Sequence, residues 1–284
     1  MSSHAFRILN VFAEERLGGN PLAVFEDGSG LSAATMQALA LQFNLSETTF
    51  ITRSSAANAR VRIFTPTFEM PFAGHPTLGT AHVVRALGLG GDALTLEMGV
   101  GIVPVTADGD RWTLEAKAPR TREVAASRAE LAAMLGLAPT DLGNTPLWVD
   151  TGNEQLVIPL ASGAAVRRCA PDAALLAKHS TTTDANGTRR TLAYVWARDG
   201  AEDVLCRFFF LKHGAVVEDP ATGSACANLG GWLVATGVKL PQTLSLKQGE
   251  AVGRRCLLRL IVDASGRIFV SGRVIELGRG VIHL

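Results

Sequence analysis

The sequence has no surplus of either charge: 27 lysines and arginines stand against 26 aspartates and glutamates. That balance removes the electrostatic case for binding nucleic acid or an acidic membrane surface. CxxC spacing is missing as well, and the four cysteines, Cys169, Cys206, Cys226 and Cys256, are widely separated with no histidine at metal-site distance. Neither a zinc site nor a disulfide scaffold is indicated, so four reduced and mostly buried thiols are expected. The longest apolar runs are broken by Gly, Arg or His well short of the roughly 18 residues of a membrane span. Met1 to Ile8 lack the basic stretch, apolar run and cleavage site of a secretory signal, which makes a cytoplasmic location the default expectation. There is no GxSxG motif, and Ser224 has no general base beside it in sequence, so a hydrolase finds little support.

What is present describes a soluble globular protein with ample core: 47% of the residues are apolar and 19% charged. The 284 residues suffice for two domains of about 140 residues each, or for one large one. A duplication decides between these. Glu69-Met70-Pro71-Phe72-Ala73-Gly74-His75 is answered by Glu218-Asp219-Pro220-Ala221-Thr222-Gly223-Ser224, with Glu, Pro and Gly each displaced by 149 positions (69 to 218, 71 to 220, 74 to 223). Each copy follows a strand-like run containing Arg and then Phe, Arg62 to Phe64 and Arg207 to Phe210. Each also opens a segment, Pro76 to Leu87 and Ala225 to Ala235, that is apolar or small on nearly every face. A helix of that kind must be enclosed on all sides.

Short alternating runs, including Phe6 to Phe12, Arg60 to Phe64, Ala193 to Ala197 and Val204 to Phe210, predict strands around both enclosed helices. Ser32 is placed to cap one amphipathic surface helix, and Ser127 with Glu130 forms a capping-box pattern ahead of another. Asn20-Pro21-Leu22-Ala23-Val24-Phe25 is echoed by Asn153-Glu154-Gln155-Leu156-Val157-Ile158, so an ordered series of elements occurs twice. The expected fold class is α+β: two pseudo-symmetric domains, each a mostly antiparallel curved sheet wrapped around a central helix. The boundary is expected near Ala118-Pro119-Arg120, giving domains 1–118 and 119–284, with the last strand able to pair back with the first domain.

A Gly-rich turn entering a helix leaves unpaired N–H groups at the positive end of the helix dipole, which suits an anion. Two such turns suggest one anion gripped between two halves, with Gly74, His75 and Thr77 on one side and Asp219, Thr222, Gly223 and Ser224 on the other. Taken singly, each of these residues has a local explanation as a helix cap or helix start. Their occurrence at matching places in both halves favours a site. Glu47, in Leu45-Ser46-Glu47-Thr48-Thr49-Phe50, sits at a helix-to-strand junction, where a glutamate is ordinarily a solvated charge. Spacing alone does not promote it; the matching stretch of the second half is expected around Ser180 to Thr183, which offers only hydroxyls. His75 and His82 lie seven apart with no third metal ligand.

Five segments taken together resemble the successive signatures of the PhzF family of phenazine-biosynthesis-like isomerases. They are Gly19 to Phe25, Leu45 to Phe50, Ala73 to Ala81, Glu218 to Ala225, and Gln248-Gly249-Glu250 with Gly253-Arg254. The resemblance spans almost the whole chain and implies the diaminopimelate-epimerase-like fold with the active site in a cleft, a homodimer, and neither metal nor organic cofactor. It implies Glu47 as the single catalytic acid/base and Asn20, Gly74, His75, Asp219, Gly223 and Ser224 as substrate-binding residues. In the related epimerases two cysteines face each other at the repeated turns; this chain has Ala73 and Thr222 there, neither of which exchanges a proton at neutral pH. The implied reaction is a proton shift between carbons of a small carboxylate-bearing metabolite, with trans-2,3-dihydro-3-hydroxyanthranilate isomerisation as the type. An epimerase-like enzyme acting on an amino-acid-like substrate, or a catalytically silent metabolite-binding protein of the same fold, are the rival readings.

Overall fold

A computed structural model describes residues 2–183 and 187–284. The chain forms two compact units, one made of residues 1–115 with 271–284 and the other of residues 116–270. In chain order the first unit contains β1 (Ser3–Val11), β2 (Asn20–Phe25), α1 (Ala33–Phe43), β3 (Glu47–Thr52), β4 (Ala59–Phe64), β5 (Glu69–Met70), α2 (Gly74–Ala86), β6 (Ala93–Met98), β7 (Gly101–Asp108) and β8 (Arg111–Glu115). The second contains β9 (Arg120–Glu123), α3 (Arg128–Met134), β10 (Leu147–Asp150), β11 (Gln155–Pro159), α4 (Gly163–Arg168), α5 (Ala173–His179), β12 (Thr181–Thr183), β13 (Arg189–Arg198), β14 (Asp203–Lys212), β15 (Ala215–Asp219), α6 (Gly223–Ala235), β16 (Gln242–Gln248) and β17 (Cys256–Val262). The long strand β18 (Ile268–His283) begins in the second unit and ends in the first.

Sheet pairing shows the duplication directly. In the first unit the order is β1, β2, β3, β4, β6, β7, β8, antiparallel except at β2–β3 and β4–β6. In the second it is β9, β10, β11, β13, β14, β16, β17, antiparallel except at β11–β13 and β14–β16. The short strands β5 and β15 hang on β4 and β14 at the same places. In the first unit β18 pairs with both β1 and β8, so the strand order returns on itself.

The central helices α2 and α6 have 13 residues each and share the 149-residue displacement at both ends. Nine of the 13 are buried in each, far more than the single stripe an amphipathic helix would hide. Close approach to the sheet needs glycine. A Cβ on Gly79 would fall 2.5 Å from Leu22 Cδ2, and one on Gly230 would fall 2.7 Å from Ile268 Cγ2. By contrast α1 and α3 lie on the outside as expected. Ser32 Oγ accepts from the Thr35 amide, and Ser127 with Glu130 closes a capping box. Outside the first sheet, Phe25, Phe50 and Phe64 pack with Met36 and Leu39 of α1, the rings of Phe25 and Phe50 stacked at 4.7 Å. No helix among the described residues is long and apolar enough to cross a membrane.

Candidate active site

The start of α2 and the start of β3 meet in the first unit. β3 runs parallel to β2 with Glu47 opposite Leu22, which brings Glu47 beside the Gly19-Asn20-Pro21 entry to β2. Gly19 holds φ +79 there, and a Cβ on it would fall 2.6 Å from that of Ala13, so only glycine permits this entry. Asn20 is buried, and its Oδ1 accepts from Ser46 Oγ at 3.2 Å, fastening the residue before Glu47 to β2. His75, the second residue of α2, is buried and donates to the carbonyl of Pro21. Proline has no N–H, so the imidazole must be the donor.

The histidine's tautomer follows. Nε2 is buried and makes no hydrogen bond of normal geometry among the described residues, so the donor to Pro21 is Nδ1. Burial pushes the His75 pKa down to about 3, and the Pro21 carbonyl opposes this only in part. The ring is therefore neutral at ordinary pH, with the bare Nε2 lone pair facing Glu47 Oε2 at 3.4 Å. This is not an ion pair. It is an acceptor close to a carboxyl group, and the carboxyl can donate to it only while protonated. Four of the sequence-designated residues, Asn20, Glu47, Gly74 and His75, thus come together in one unit. Ala73 precedes α2 without any side-chain cap, and Pro76 supplies no amide, so the amides that α2 leaves unpaired at its tip are those of Gly74 and His75.

In the second unit Asp219, Gly223 and Ser224 share one turn. Ser224 Oγ accepts from Gln155 Nε2 at 2.9 Å, Gln155 Oε1 accepts from Asn228 Nδ2 at 2.9 Å, and Asn228 Oδ1 accepts from Thr151. This buried chain ties the tip of α6 to the start of β11, as the His75–Pro21 bond ties α2 to β2. Thr222 stands at the N-cap but caps nothing; its hydroxyl donates to Asp219 Oδ2. Gln248, at the end of β16, is buried and bonded to both residues of that turn.

Two points depart from the sequence reading. The match for Glu47 in the second unit is not in Ser180 to Thr183. Thr48 pairs with Phe64 and Phe64 with Glu69, while Ala193 pairs with Phe209 and Phe209 with Glu218, so the residue matching Glu47 is Leu192. The added helices α4 and α5 and the extra strand β12 displaced the sequence correspondence. Thr222 stands among the residues expected to grip the anion and Gln248 in a family motif, but the sequence does not reveal their hydrogen bonds to the Asp219 turn. The signal in the sequence is Gly249, which holds φ +81 and on which a Cβ would fall 2.6 Å from the Pro220 carbonyl, so that glycine seats Gln248 against that turn. His82, also singled out, faces Trp112: its Nδ1 lies 3.4 Å from the donor Nε1 of that indole.

A family model described as phenazine biosynthesis-like protein matches residues 9–280. An uncharacterized isomerase of Pasteurella multocida is 37% identical over 100% of this chain and 96% of its own length. The trans-2,3-dihydro-3-hydroxyanthranilate isomerase of Pseudomonas aeruginosa is 35% identical over 99% of this chain and 100% of its own. Among solved structures, the Bacillus anthracis phenazine biosynthesis protein of the PhzF family superposes with a TM-score of 0.85 over 100% of both chains at 24% identity, a likeness of fold. With the duplicated sheet, the two enclosed helices and matches of this extent, the chain belongs to the phenazine biosynthesis-like protein family, as one of its isomerases.

Proposed function

We propose that the enzyme moves a proton between two carbons of a small carboxylate-bearing metabolite, with Glu47 as the one acid/base. The observation that carries this reading is the 3.4 Å approach of Glu47 Oε2 to the bare Nε2 of a buried, neutral His75. A proton-transfer group must take a proton and later release it. His75 suits both halves of the cycle: its lone pair accepts a hydrogen bond from the carboxyl while the transferred proton rests there, and imposes no positive charge that would fix the carboxylate. Gly74 at the tip of α2, and Gly223 and Ser224 at the tip of α6, each offer amides suited to a carboxylate, and Asn20, His75 and Asp219 are the polar side chains assigned to the substrate's heteroatoms. Kinship with isomerases acting on trans-2,3-dihydro-3-hydroxyanthranilate supports that compound, or one of like chemistry, as the substrate. Family likeness likewise supports a homodimer, which sedimentation velocity checks.

Turnover of trans-2,3-dihydro-3-hydroxyanthranilate in deuterated water tests the assignment. The wild type should isomerise it with at most one solvent deuteron entering carbon. Glu47→Gln should lower kcat by at least about a thousandfold while leaving the chain folded. Undiminished turnover in Glu47→Gln would refute the role of Glu47, and inversion at a stereocentre without a double-bond shift would favour the epimerase reading instead.

A further inference from the structure

The duplication supplies an internal control for which residues the fold itself requires. The 149-residue displacement sets Asp219 against Met70 and Thr222 against Ala73. Gln248 ends β16 just before Gly249, which approaches Pro220; Met98 ends β6 just before Gly99, whose Cβ would meet Pro71 at 2.8 Å. So the first unit builds the same turn, helix tip and strand end with Met70, Ala73 and Met98, and the second builds them with Asp219, Thr222 and Gln248. The three polar residues are not needed for the turn to form. They are, moreover, bonded to one another.

The direction of those bonds is fixed by chemistry. The Gln248 amide nitrogen is a donor only, so Thr222 Oγ1, 3.1 Å away, must accept from it and spend its single hydrogen on Asp219 Oδ2. The same nitrogen donates to the Asp219 carbonyl at 2.8 Å, and Gln248 Oε1 accepts from the Thr222 amide at 3.3 Å. Rotating the amide by half a turn would set its oxygen against the Asp219 carbonyl and its NH2 against the Thr222 amide, so the orientation is fixed. Cys206 adds to this: its thiol donates to the Lys247 carbonyl at 3.4 Å and lies 3.9 Å from Gln248 Oε1. Thr222 meanwhile forgoes the ordinary task of a threonine at that position, an N-cap bond worth about 1 kcal/mol. A local rule given up in one copy of a repeat, in favour of a bond to a carboxylate, marks a functional constraint.

We infer that Gln248 and Thr222 form a relay of hydrogen bonds that holds the Asp219 carboxylate ionised and in one orientation toward the substrate, making both positioning residues for the isomerisation. The inference rests on the reading of Asp219 as a substrate-binding residue. An O–H donor to a carboxylate favours its charged form, so loss of the donor moves its titration upward. The test is a carboxyl-carbon NMR titration of aspartate-labelled protein, with the Asp219 signal identified by its absence in Asp219→Asn. Thr222→Val, which keeps the shape and removes the donor, should raise the Asp219 midpoint by about one pH unit; Thr222→Ser should leave it within a few tenths. Gln248→Met should give a shift in the same direction, and the double variant with Thr222→Val no more than the larger single shift, because the two act through one chain. An Asp219 midpoint unchanged by Thr222→Val, or fully additive shifts, would overturn the relay. Turnover of trans-2,3-dihydro-3-hydroxyanthranilate separates the two claims. Loss of kcat in Asp219→Asn with a smaller loss in Thr222→Val supports both. Wild-type turnover in Asp219→Asn overturns the underlying reading of Asp219 even where the titration moves.

Discussion

A histidine kept neutral by burial couples folding to pH. His75 binds a proton only near pH 3 in the folded chain but near 6.5 when unfolded, so between these values the unfolded state holds more protons. Stability from this group is fully present above pH 6.5 and drains away as pH falls toward 3. Half-buried His82 is also pushed down by burial and acts in the same sense. Each proton of difference is worth roughly 1.4 kcal/mol per pH unit, so His75 alone should account for about 2 kcal/mol lost between pH 6.5 and 4.5. Urea unfolding of His75→Asn at those two pH values should show a loss smaller than the wild type's by about that amount; equal losses would mean the ring is not held neutral. At this scale the sequence was least informative. Glu47 was indistinguishable by spacing from a surface charge, because what distinguishes it is the parallel register of β3 on β2 and the tautomer of a residue 28 positions away. The family resemblance pointed to Glu47; the sequence pattern alone did not.

Elements were more legible, for a physical reason: a helix enclosed on nearly all sides carries little charge, α2 having Arg85 only in its last turn, and strands half buried must alternate. The two apolar segments became α2 and α6, each starting two residues earlier than the apolar pattern because their first residues are the polar tips. Strands with little buried surface carry little of this signal. β9, Arg120 to Glu123, is exposed throughout, and β7 buries only Val105, with Ile102, Pro104, Thr106 and Asp108 exposed. They are recognisable only by their partners, β10 and β6. The enclosure of α2 also yields a packing prediction. Gly79→Val would drive its side chain into Leu22 and Val11, where even a Cβ has only 2.5 and 2.9 Å, and should cost about 1–3 kcal/mol. Because Leu22 lies two residues from Asn20 and pairs with Glu47, activity should fall as well. Gly91→Ala, whose added Cβ meets nothing within 4 Å, is the control. A denaturation midpoint for Gly79→Val no lower than the control's would show that the helix and β2 do not pack as closely as described.

At the scale of the whole chain, the two copies differ at matching places in their polar residues. The first unit keeps Glu47 and His75 where the second has Leu192 and Ser224, and the second keeps Asp219, Thr222 and Gln248 where the first has Met70, Ala73 and Met98. Repetition was readable in the sequence because Glu, Pro and Gly recur at a constant displacement. The path of the chain was harder to read, since residues 271–284 return to the first unit after the second is complete. That path predicts unequal independence. Residues 116–270 are continuous and contain every strand pairing from β9 to β17, so this fragment should fold alone. Residues 1–115 should not. Without β18, the strand β1 loses a partner along Ser3 to Val11, and the buried Arg7 guanidinium loses Glu276, one of its two carboxylates, the other being Glu26. The deficit should be curable by connectivity. Ser2 and Leu284 exchange backbone hydrogen bonds at 3.0 Å, so a two-residue Asn-Gly turn joining Leu284 to Ser2 would make β18 and β1 a hairpin. A permuted fragment running 271–284, Asn-Gly, 2–115 should unfold cooperatively in urea with a dispersed amide spectrum, whereas 1–115 alone should give neither. Cooperative unfolding of 1–115 at the same midpoint would show that the returning strand contributes nothing to the first unit.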